Sequence, residues 1–406
     1  MKRTMMLAMT MGVIVCVASS NKALGAEKVL EIGWMSALSG PAAVWGEAFK
    51  RIVDMQVEEY NAAGGILVGG ERYKLKIIYE DDKMTADGGR AAAEKLVYQD
   101  KVKFILGSIS SSAVLAQQKI TEPNKVISMI DGQAKDQVSP NAPYSFRCLT
   151  GFREMTPTFG EFLKERHPNL KKVAILNPNN DVGLDNHQFA PKMYKYFGFE
   201  VVFNELYPPA TKDFATLLAK GLSAGAQVFD LGASLAGSVF LMKKQLVELG
   251  FKGPTMNTAS LPSDKFVQAV GAENVANHFV FGYAEDPQNA PPKLLPIIEK
   301  YKQKYGSWFP VAARFPLFLD TLLRGIQAAG TVTDTTAVRD AMEKLKPFES
   351  AVGMAMWGGK ETYGIDHQMY NTTQLLMYEP GGKQVLAKSI PPERAKELAI
   401  AIEKVK

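Results

Sequence analysis

Segments with strand character alternate with segments of helix character along most of this chain, and no other feature constrains its fold as strongly. The first predicted strands are residues 29–38, 73–82, 103–107 and 126–131, and the predicted helices between them are 41–63, 85–100 and 111–122. In the first helix Phe49, Val53 and Val57 recur every four residues, which places them on one face. Strands separated by helices of this length form βαβ crossovers, so the pattern predicts a parallel sheet covered by helices on both faces.

The alternation starts again after residue 144, which indicates a second unit. Strands are predicted at 144–149, 172–177, 199–207, 228–233, 255–259 and 278–284, mostly with helices between them. Three helical segments follow between residues 293 and 346, and the chain ends in strands at 371–378 and 384–389 and a helix from Pro391. Because 406 residues are too many for one small domain, we predict an α/β protein of two doubly wound lobes.

The N-terminus has the composition of a secretory signal peptide. Lys2 and Arg3 precede an apolar stretch at 5–19, and small residues follow at 23–26. We therefore expect residues 1–26 to be a cleaved signal and the mature protein to be periplasmic. Its removal leaves 44 basic against 42 acidic residues, a formal charge of +2 instead of +5. No basic stripe then remains, so nucleic acid is not an expected partner.

The patterns that mark common enzymes and cofactor sites are missing from the sequence. The segment 232–236 lacks the last glycine of a nucleophile elbow, the four histidines stand apart, and no GxGxxG follows the first strand. Cys148 is the one cysteine beyond the predicted signal. We therefore expect a protein that is not an enzyme and holds no metal, cofactor or intrachain disulfide.

An ordered set of short motifs resembles the solute-binding proteins of branched-chain amino acid (Leu/Ile/Val-binding) type ABC transporters. The motifs run along nearly all of the chain beyond residue 26: Ser39-Gly40-Pro41, Asn61-Ala62-Ala63-Gly64-Gly65-Ile66, Tyr79-Glu80-Asp81-Asp82, Ser110-Ser111-Ser112, Phe146-Arg147, Lys212-Asp213-Phe214 and Glu248-Leu249-Gly250. Each motif is unspecific by itself, and their order carries the resemblance.

The resemblance implies a type I periplasmic-binding fold, with two Rossmann-like lobes joined by a three-stranded hinge. The N-terminal lobe would comprise 27–148 and 282–355, and the C-terminal lobe 149–281 and 356–406. It further implies a monomer that binds a small-molecule solute and delivers it to the membrane permease of an ABC transporter. A sensory receptor of the same fold, which presents its closure to a signalling partner, is the alternative, and a periplasmic hydrolase is a third hypothesis.

Candidate ligand contacts in the first lobe follow predicted strands. Ligands of open parallel sheets bind outside the carboxyl ends of the strands, against helix N-termini. The first-lobe candidates are Trp45, Ser110, Ser111, Ser112, Asp131 and Gln133. Ser111 best matches the family's ligand-contacting serine. The alternatives are helix capping for the serines, burial at a helix start for Trp45, and a turn for Asp131.

The candidates in the second lobe depart from the family pattern. Val182 replaces a tyrosine, Ala233 replaces an aromatic residue beside Ser234, and Ala259 takes the place of the acid that holds an α-ammonium group in the family. A buried ammonium without a paired charge costs several kcal/mol. The resemblance therefore implies a solute other than a plain branched-chain amino acid, such as an aromatic or other organic acid or an amide.

Three further candidates lie near the predicted crossovers between the lobes. Phe281 and Tyr283 are expected to line the site, and Arg153 could pair with a ligand carboxylate. A solvated loop charge is the alternative for Arg153.

Overall fold

The computed structural model describes residues 28–40, 42–258 and 260–405. The predicted signal peptide at 1–26 lies outside these ranges, as does Ala259. The strands are β1 (Lys28–Ser36), β2 (Ile66–Val68), β3 (Glu71–Asp81), β4 (Phe104–Leu106), β5 (Ile127–Ile130), β6 (Ser145–Arg147), β7 (Lys172–Pro178), β8 (Glu200–Tyr207), β9 (Val228–Asp230), β10 (Thr255–Asn257), β11 (His278–Gly282), β12 (Phe348–Ser350), β13 (Gly353–Gly358), β14 (Gln368–Asn371), β15 (Thr373–Tyr378) and β16 (Gln384–Ile390).

The helices cover both faces of the sheets that these strands form. They are α1 (Ala43–Ala62), α2 (Ala86–Glu94), α3 (Ser111–Thr121), α4 (Phe152–Met155), α5 (Pro157–Arg166), α6 (Asp181–Phe197), α7 (Ala215–Ser223), α8 (Ala236–Glu248), α9 (Ser263–Val270), α10 (Leu294–Tyr305), α11 (Pro316–Ala329), α12 (Thr335–Glu343), α13 (Lys360–Tyr363) and α14 (Pro392–Glu403). A π turn (Lys95–Gln99) extends α2, and 3₁₀ turns lie at Lys135–Gln137 and Pro310–Arg314. Within the described ranges, no helix has the length and apolar character needed to cross a membrane.

Two sheets divide the described residues into two lobes. The first sheet has the order β12-β13-β14-β6-β5-β4-β1-β3-β2, and the second has the order β16-β15-β11-β10-β9-β7-β8. In the middle of the first sheet β1 runs parallel to both β3 and β4, and β5 runs parallel to β4 and β6. Every residue of β4 and β5 is buried, as expected for parallel strands that are covered on both faces.

Each lobe brings a helix start close to the end of a strand by means of one glycine. A Cβ atom on Gly46, in the first turn of α1, would lie 1.7 Å from the Ala37 carbonyl oxygen. A Cβ atom on Gly183, in the first turn of α6, would lie 1.8 Å from the Pro178 carbonyl oxygen. Since no side chain fits at either position, the two strand-to-helix turns at the carboxyl edge of the sheets depend on glycine.

The cores of the lobes are separate clusters of aromatic and aliphatic side chains. In the first lobe α11 packs on α1, where Phe49 stacks on Phe315 with ring centroids 4.5 Å apart. In the second lobe one cluster contains Phe159 and Phe279, and another contains Phe229 and Val239. Helices α10, α11 and α12 contribute to the first core, so the chain returns to the first lobe after β11.

The chain crosses to the second lobe for the last time at a later position than the predicted lobe boundary at residue 355. Strands β13 and β14 form an antiparallel pair, and β14 joins the first sheet beside β6. The first lobe therefore extends to Asn371, and β15 begins the final segment of the second. Sequence reasoning missed this pair because the strands are short and the segment between them contains a helical turn, so neither shows a clear alternation.

A single side chain connects the three crossovers between the lobes. Thr150, in the first crossover, donates its amide N–H and its hydroxyl to Asn371 Oδ1 at 3.0 and 2.7 Å. Asn371, beside the third crossover, donates through Nδ2 to the Tyr283 hydroxyl of the second at 2.6 Å. The three connecting segments are thus held at one point.

Candidate functional site

A cleft of about 1680 Å³ lies between the lobes, along the carboxyl ends of both sheets. Most of the predicted site residues line it, and they come from both lobes: Trp45, Ser110, Ser111, Ser112, Asp131, Gln133, Val182, Ala233, Ser234 and Tyr283. Their meeting follows from topology, because β4, β5, β7 and β9 all end at this edge. Ala259 lies outside the described residues.

The three serines at the start of α3 face the cleft, and their contacts differ from simple capping. Ser110 is the N-cap residue, but its side chain makes no cap hydrogen bond; its hydroxyl lies 3.2 Å from the Met84 carbonyl oxygen and 3.1 Å from Ser112 Oγ. Ser111 Oγ accepts from the amide N–H groups of Gln133 and Ala134 at 3.0 and 3.1 Å. Ser111 therefore holds the loop after β5 and still has its own proton to donate.

An ion pair that the sequence did not reveal lies in the first-lobe wall. Arg314, at the end of the 3₁₀ turn, donates through Nη2 to Asp131 Oδ1 at 3.1 Å. Gln133 donates through Nε2 to the same oxygen at 2.6 Å, and its own Oε1 accepts from the Phe152 amide at 3.1 Å. Arg314, Asp131, Gln133 and Ser111 thus form one continuous polar chain along this wall.

The Asp131 carboxylate is nearly inaccessible, with 5% of the residue exposed. Burial raises the pKa of Asp131 above its ordinary value, and the positive charges of Arg314 and Arg147 act in the opposite direction. The alternative in which Asp131 only forms a turn does not hold, since its carboxylate is paired with a cation, and its contact with a ligand stays a prediction. Arg314 is more accessible, at 16% of its side chain.

Aromatic rings border the polar chain on the first-lobe side. Trp45 is half-buried and packs edge-on against Phe309, with ring centroids 5.8 Å apart. Both rings line the cleft, and Phe152 lines it from the second lobe. This arrangement offers flat apolar surface next to hydrogen-bond donors.

The predicted site residues in the second-lobe wall have small or apolar side chains. Val182 lies in the first turn of α6, and Ala233 follows β9, where its amide donates to Asn177 Oδ1 at 3.1 Å. Ser234 is buried and accepts from the Tyr207 hydroxyl at 2.6 Å. Leu235, at the cleft, is 70% exposed.

Arg153 and Phe281, both near the crossovers, do not line the large cleft. Arg153 does not line the cleft: its guanidinium is paired with Asp185 and with Glu403 of α14, and 9% of the side chain is exposed. Both predictions for Arg153, a ligand contact and a solvated loop charge, are therefore at odds with its place in the structure, because two carboxylates hold it on the second lobe. Phe281 is buried in the second core and borders a small pocket at the base of the cleft, which Tyr283 and Arg314 also line.

Tyr283 joins this base pocket to the cleft. Its hydroxyl accepts from Asn371, and burial raises the pKa of Tyr283 to about 12. The hydroxyl therefore keeps its proton at neutral pH and can donate it. Among the residues that the structure describes, no group of three or more His, Cys, Asp and Glu side chains is placed to hold a metal ion.

Comparison with known sequences gives a consistent picture. The sequence model of a family described as "Periplasmic binding protein" matches residues 29–383. A Leu/Ile/Val-binding protein homolog of Brucella melitensis is 26% identical over 325 residues, which cover 80% of this chain and 86% of the relative. An amino acid binding protein of Pseudomonas aeruginosa is 23% identical over 354 residues, which cover 86% and 92% of the two chains.

Solved structures share the same architecture. A leucine binding protein from Thermotoga maritima superposes with a TM-score of 0.77 at 18% identity, over 90% of this chain and 99% of that one. A solute binding protein from R. palustris in complex with benzoate superposes with a TM-score of 0.71 at 19% identity, over 89% and 98%. At these identities the two likenesses establish the fold, which confirms the prediction of two α/β lobes.

Proposed function

The chain belongs to the periplasmic binding protein family, and we propose that it closes on a small organic solute and delivers it to an ABC-type permease. It has the type I periplasmic-binding fold and, like its relatives, is a solute-binding protein of the branched-chain amino acid transporter type and not an enzyme. We further propose that it acts in the periplasm as a monomer after removal of residues 1–26.

The size of the cleft is the observation that supports closure. Sites that bury small molecules have volumes of roughly 300–1000 Å³. The cleft here measures about 1680 Å³, so a small solute could contact one wall at a time unless the lobes approach each other. Movement of two rigid lobes about connecting segments is a common way to achieve this, and the three crossovers provide such segments.

The walls of the cleft argue against a plain branched-chain amino acid. An α-ammonium group that is buried by closure needs a buried carboxylate that is free to pair with it. Asp131, the buried acid of the first wall, is already engaged by Arg314, and the other acids that line the cleft, Asp181, Asp264, Glu285 and Asp286, are exposed. The benzoate complex of the R. palustris protein involves an acid without an amine, so this fold can hold such solutes.

Small-angle X-ray scattering combined with calorimetry tests the proposal. We expect the mature protein, residues 27–406, to become more compact on adding a binding acid such as benzoate, and to show weak or no binding of leucine. Since the four tryptophans include Trp45 in the cleft, fluorescence provides an independent titration. An unchanged radius of gyration with every tight-binding compound would refute closure, and tight leucine binding would refute the assignment of solute class.

A further inference from the structure

We infer that Arg314 is the residue that selects the solute, and that it does so by binding a carboxylate group. This inference rests on the proposed function, because it concerns the solute of the same cleft. It assigns a specificity-determining role to a residue on the 3₁₀ turn Pro310–Arg314, which lies between α10 and α11 and far in sequence from Asp131 and Ser111.

The contacts of Arg314 leave most of its hydrogen-bonding capacity unused. A guanidinium group has five N–H donors in a planar fork. Arg314 uses Nη2 for Asp131 at 3.1 Å, and its side chain lines both the cleft and the pocket at its base. A planar fork that is anchored at one end and open at the other matches the two oxygens of a carboxylate.

The ion pair with Asp131 positions the guanidinium and leaves its other N–H donors open. Arg147 is buried as well, but its charge acts on both Asp131 and the buried Glu154, so two guanidinium groups and two buried carboxylates lie in this part of the protein. Asp131 also accepts from Gln133 at 2.6 Å, which fixes the direction of its oxygens. An anion that meets the open N–H donors of Arg314 is favoured over a cation, whose charge the guanidinium would repel.

The rest of the first-lobe wall also presents donors. Helix α3 begins at this edge with no acidic residue in its first turn and no side-chain cap hydrogen bond, so the positive end of its dipole faces the cleft. The hydroxyl protons of Ser111 and Tyr283 are free to be donated, since both oxygens accept from other groups. A wall of donors suits an acceptor-rich group, which a carboxylate is and an amide is only in part.

The apolar neighbours define the remainder of the solute. Trp45 and Phe309 line the first-lobe side, and Val182 and Ala233 leave room on the other. An aromatic or branched aliphatic carboxylate without an amine would place its charge at Arg314 and its apolar part between the walls.

The test compares acids with their amides on matched proteins. Isothermal calorimetry is performed on the mature wild type, Arg314→Gln, Arg314→Lys and Arg324→Gln, with benzoate, benzamide, isovalerate and isovaleramide. Arg324 is the control because it forms an ion pair of the same length with Asp320, 3.1 Å, but does not line the cleft. Circular dichroism of each variant verifies that it is folded.

We expect wild type and Arg324→Gln to prefer at least one acid over its amide by about 10- to 100-fold, and Arg314→Gln to lose that preference. Arg314→Lys, which keeps the charge but not the fork, should retain a small part of it. Equal affinity of wild type for acid and amide, a preserved preference in Arg314→Gln, or no binding of any acid would overturn the inference. Scattering separates the two claims: compaction on binding an amide leaves the receptor function standing while the inference fails.

Discussion

Asp131 in the first lobe and Asp230 in the second both lie at the carboxyl end of a buried parallel strand, β5 and β9, but they meet different partners. Asp131 is paired with the Arg314 guanidinium and lines the cleft. Asp230 is 1% exposed and accepts from two neutral donors, the Tyr194 hydroxyl at 3.0 Å and the Gly232 amide at 2.8 Å.

The difference shows that similar strand ends can serve different purposes in the two lobes. Without a cation, burial raises the pKa of Asp230 to about 6, so this acid is costly to ionise. With a cation beside it, Asp131 instead positions a charged group in the cleft. The buried ion pair at the cleft therefore belongs to the first lobe, whereas the acids that the second lobe adds to the lining, Asp181 and Asp264, are exposed.

Both lobes have a glycine in the first turn of a helix that lies against the end of a strand, Gly46 in α1 and Gly183 in α6. Substitution of these two glycines has the largest expected effect. Gly46→Ala and Gly183→Ala should each lower the free energy of unfolding by about 3 kcal/mol, because each new methyl group meets a backbone oxygen. Gly237→Ala, in the first turn of α8, is the control, since nothing lies within 4 Å of its added Cβ.

Urea titration with two probes locates each effect. All four tryptophans, Trp34, Trp45, Trp308 and Trp357, belong to the first lobe, so their fluorescence reports on that lobe while circular dichroism reports on both. Gly46→Ala should shift the fluorescence transition directly. If Gly237→Ala were as destabilising as Gly183→Ala, the close approach of the backbone would not be the cause.

The pH dependence of stability tests the unpaired state of Asp230. Its folded pKa of about 6 exceeds the ordinary value of 3.8. The stabilising contribution of protonated Asp230 is fully present below about pH 4. It is lost as the pH rises from about 4 to about 6, because the unfolded state releases this proton at a lower pH than the folded state does. The loss amounts to about 3 kcal/mol.

Asp230→Asn should therefore remove this fall, so that the difference in unfolding free energy between wild type and variant changes across pH 4 to 7. Asp264→Asn is the control, as that side chain is exposed and its replacement should change stability by less than about 0.5 kcal/mol. A constant difference between wild type and Asp230→Asn at every pH would show that the carboxyl group titrates normally.

A double-mutant cycle measures the pairing that distinguishes Asp131. Asp131→Asn should lower the free energy of unfolding by about 2 kcal/mol. This is less than the loss expected for a fully buried pair, because 16% of the Arg314 side chain is exposed. Asp131→Asn combined with Arg314→Gln should cost less than the sum of the single changes. Additive losses in urea unfolding would mean that the two groups do not stabilise each other.

Substitutions in the two walls of the cleft should change the affinity for the solute by smaller free energies. Trp45→Ala should weaken the tightest-binding acid of the calorimetric panel roughly tenfold, about 1.4 kcal/mol, since a rigid ring is lost from the cleft. Leu235→Ala, on the exposed second wall, should weaken it less than threefold. Equal losses would place the apolar contact on both walls.

Much of the fold could be read from the sequence because buried parallel strands and amphipathic helices leave periodic patterns. The pair of strands at 353–371 has no such pattern, and the second-lobe boundary was misplaced for that reason. Wall residues that come soon after a strand, such as Ser111 and Asp131, could be predicted from the sequence.

Contacts between distant residues could not be foreseen. Arg314 lies 183 positions from Asp131 and sits in a turn within a stretch predicted as helical, so no local spacing points to the pair. Arg153 was near a crossover in sequence, but Asp185 and Glu403 direct its side chain elsewhere. Ser111 supports two backbone amides as well, so Ser111→Ala would also loosen the loop after β5.

Asn371 has a mechanical consequence for the whole molecule. Its side-chain amide reaches Thr150 on one side and Tyr283 on the other, so the three linking segments cannot slide past one another without breaking those bonds. Tyr283 also lines the cleft, so one side chain belongs both to the junction of the crossovers and to the wall that faces a solute.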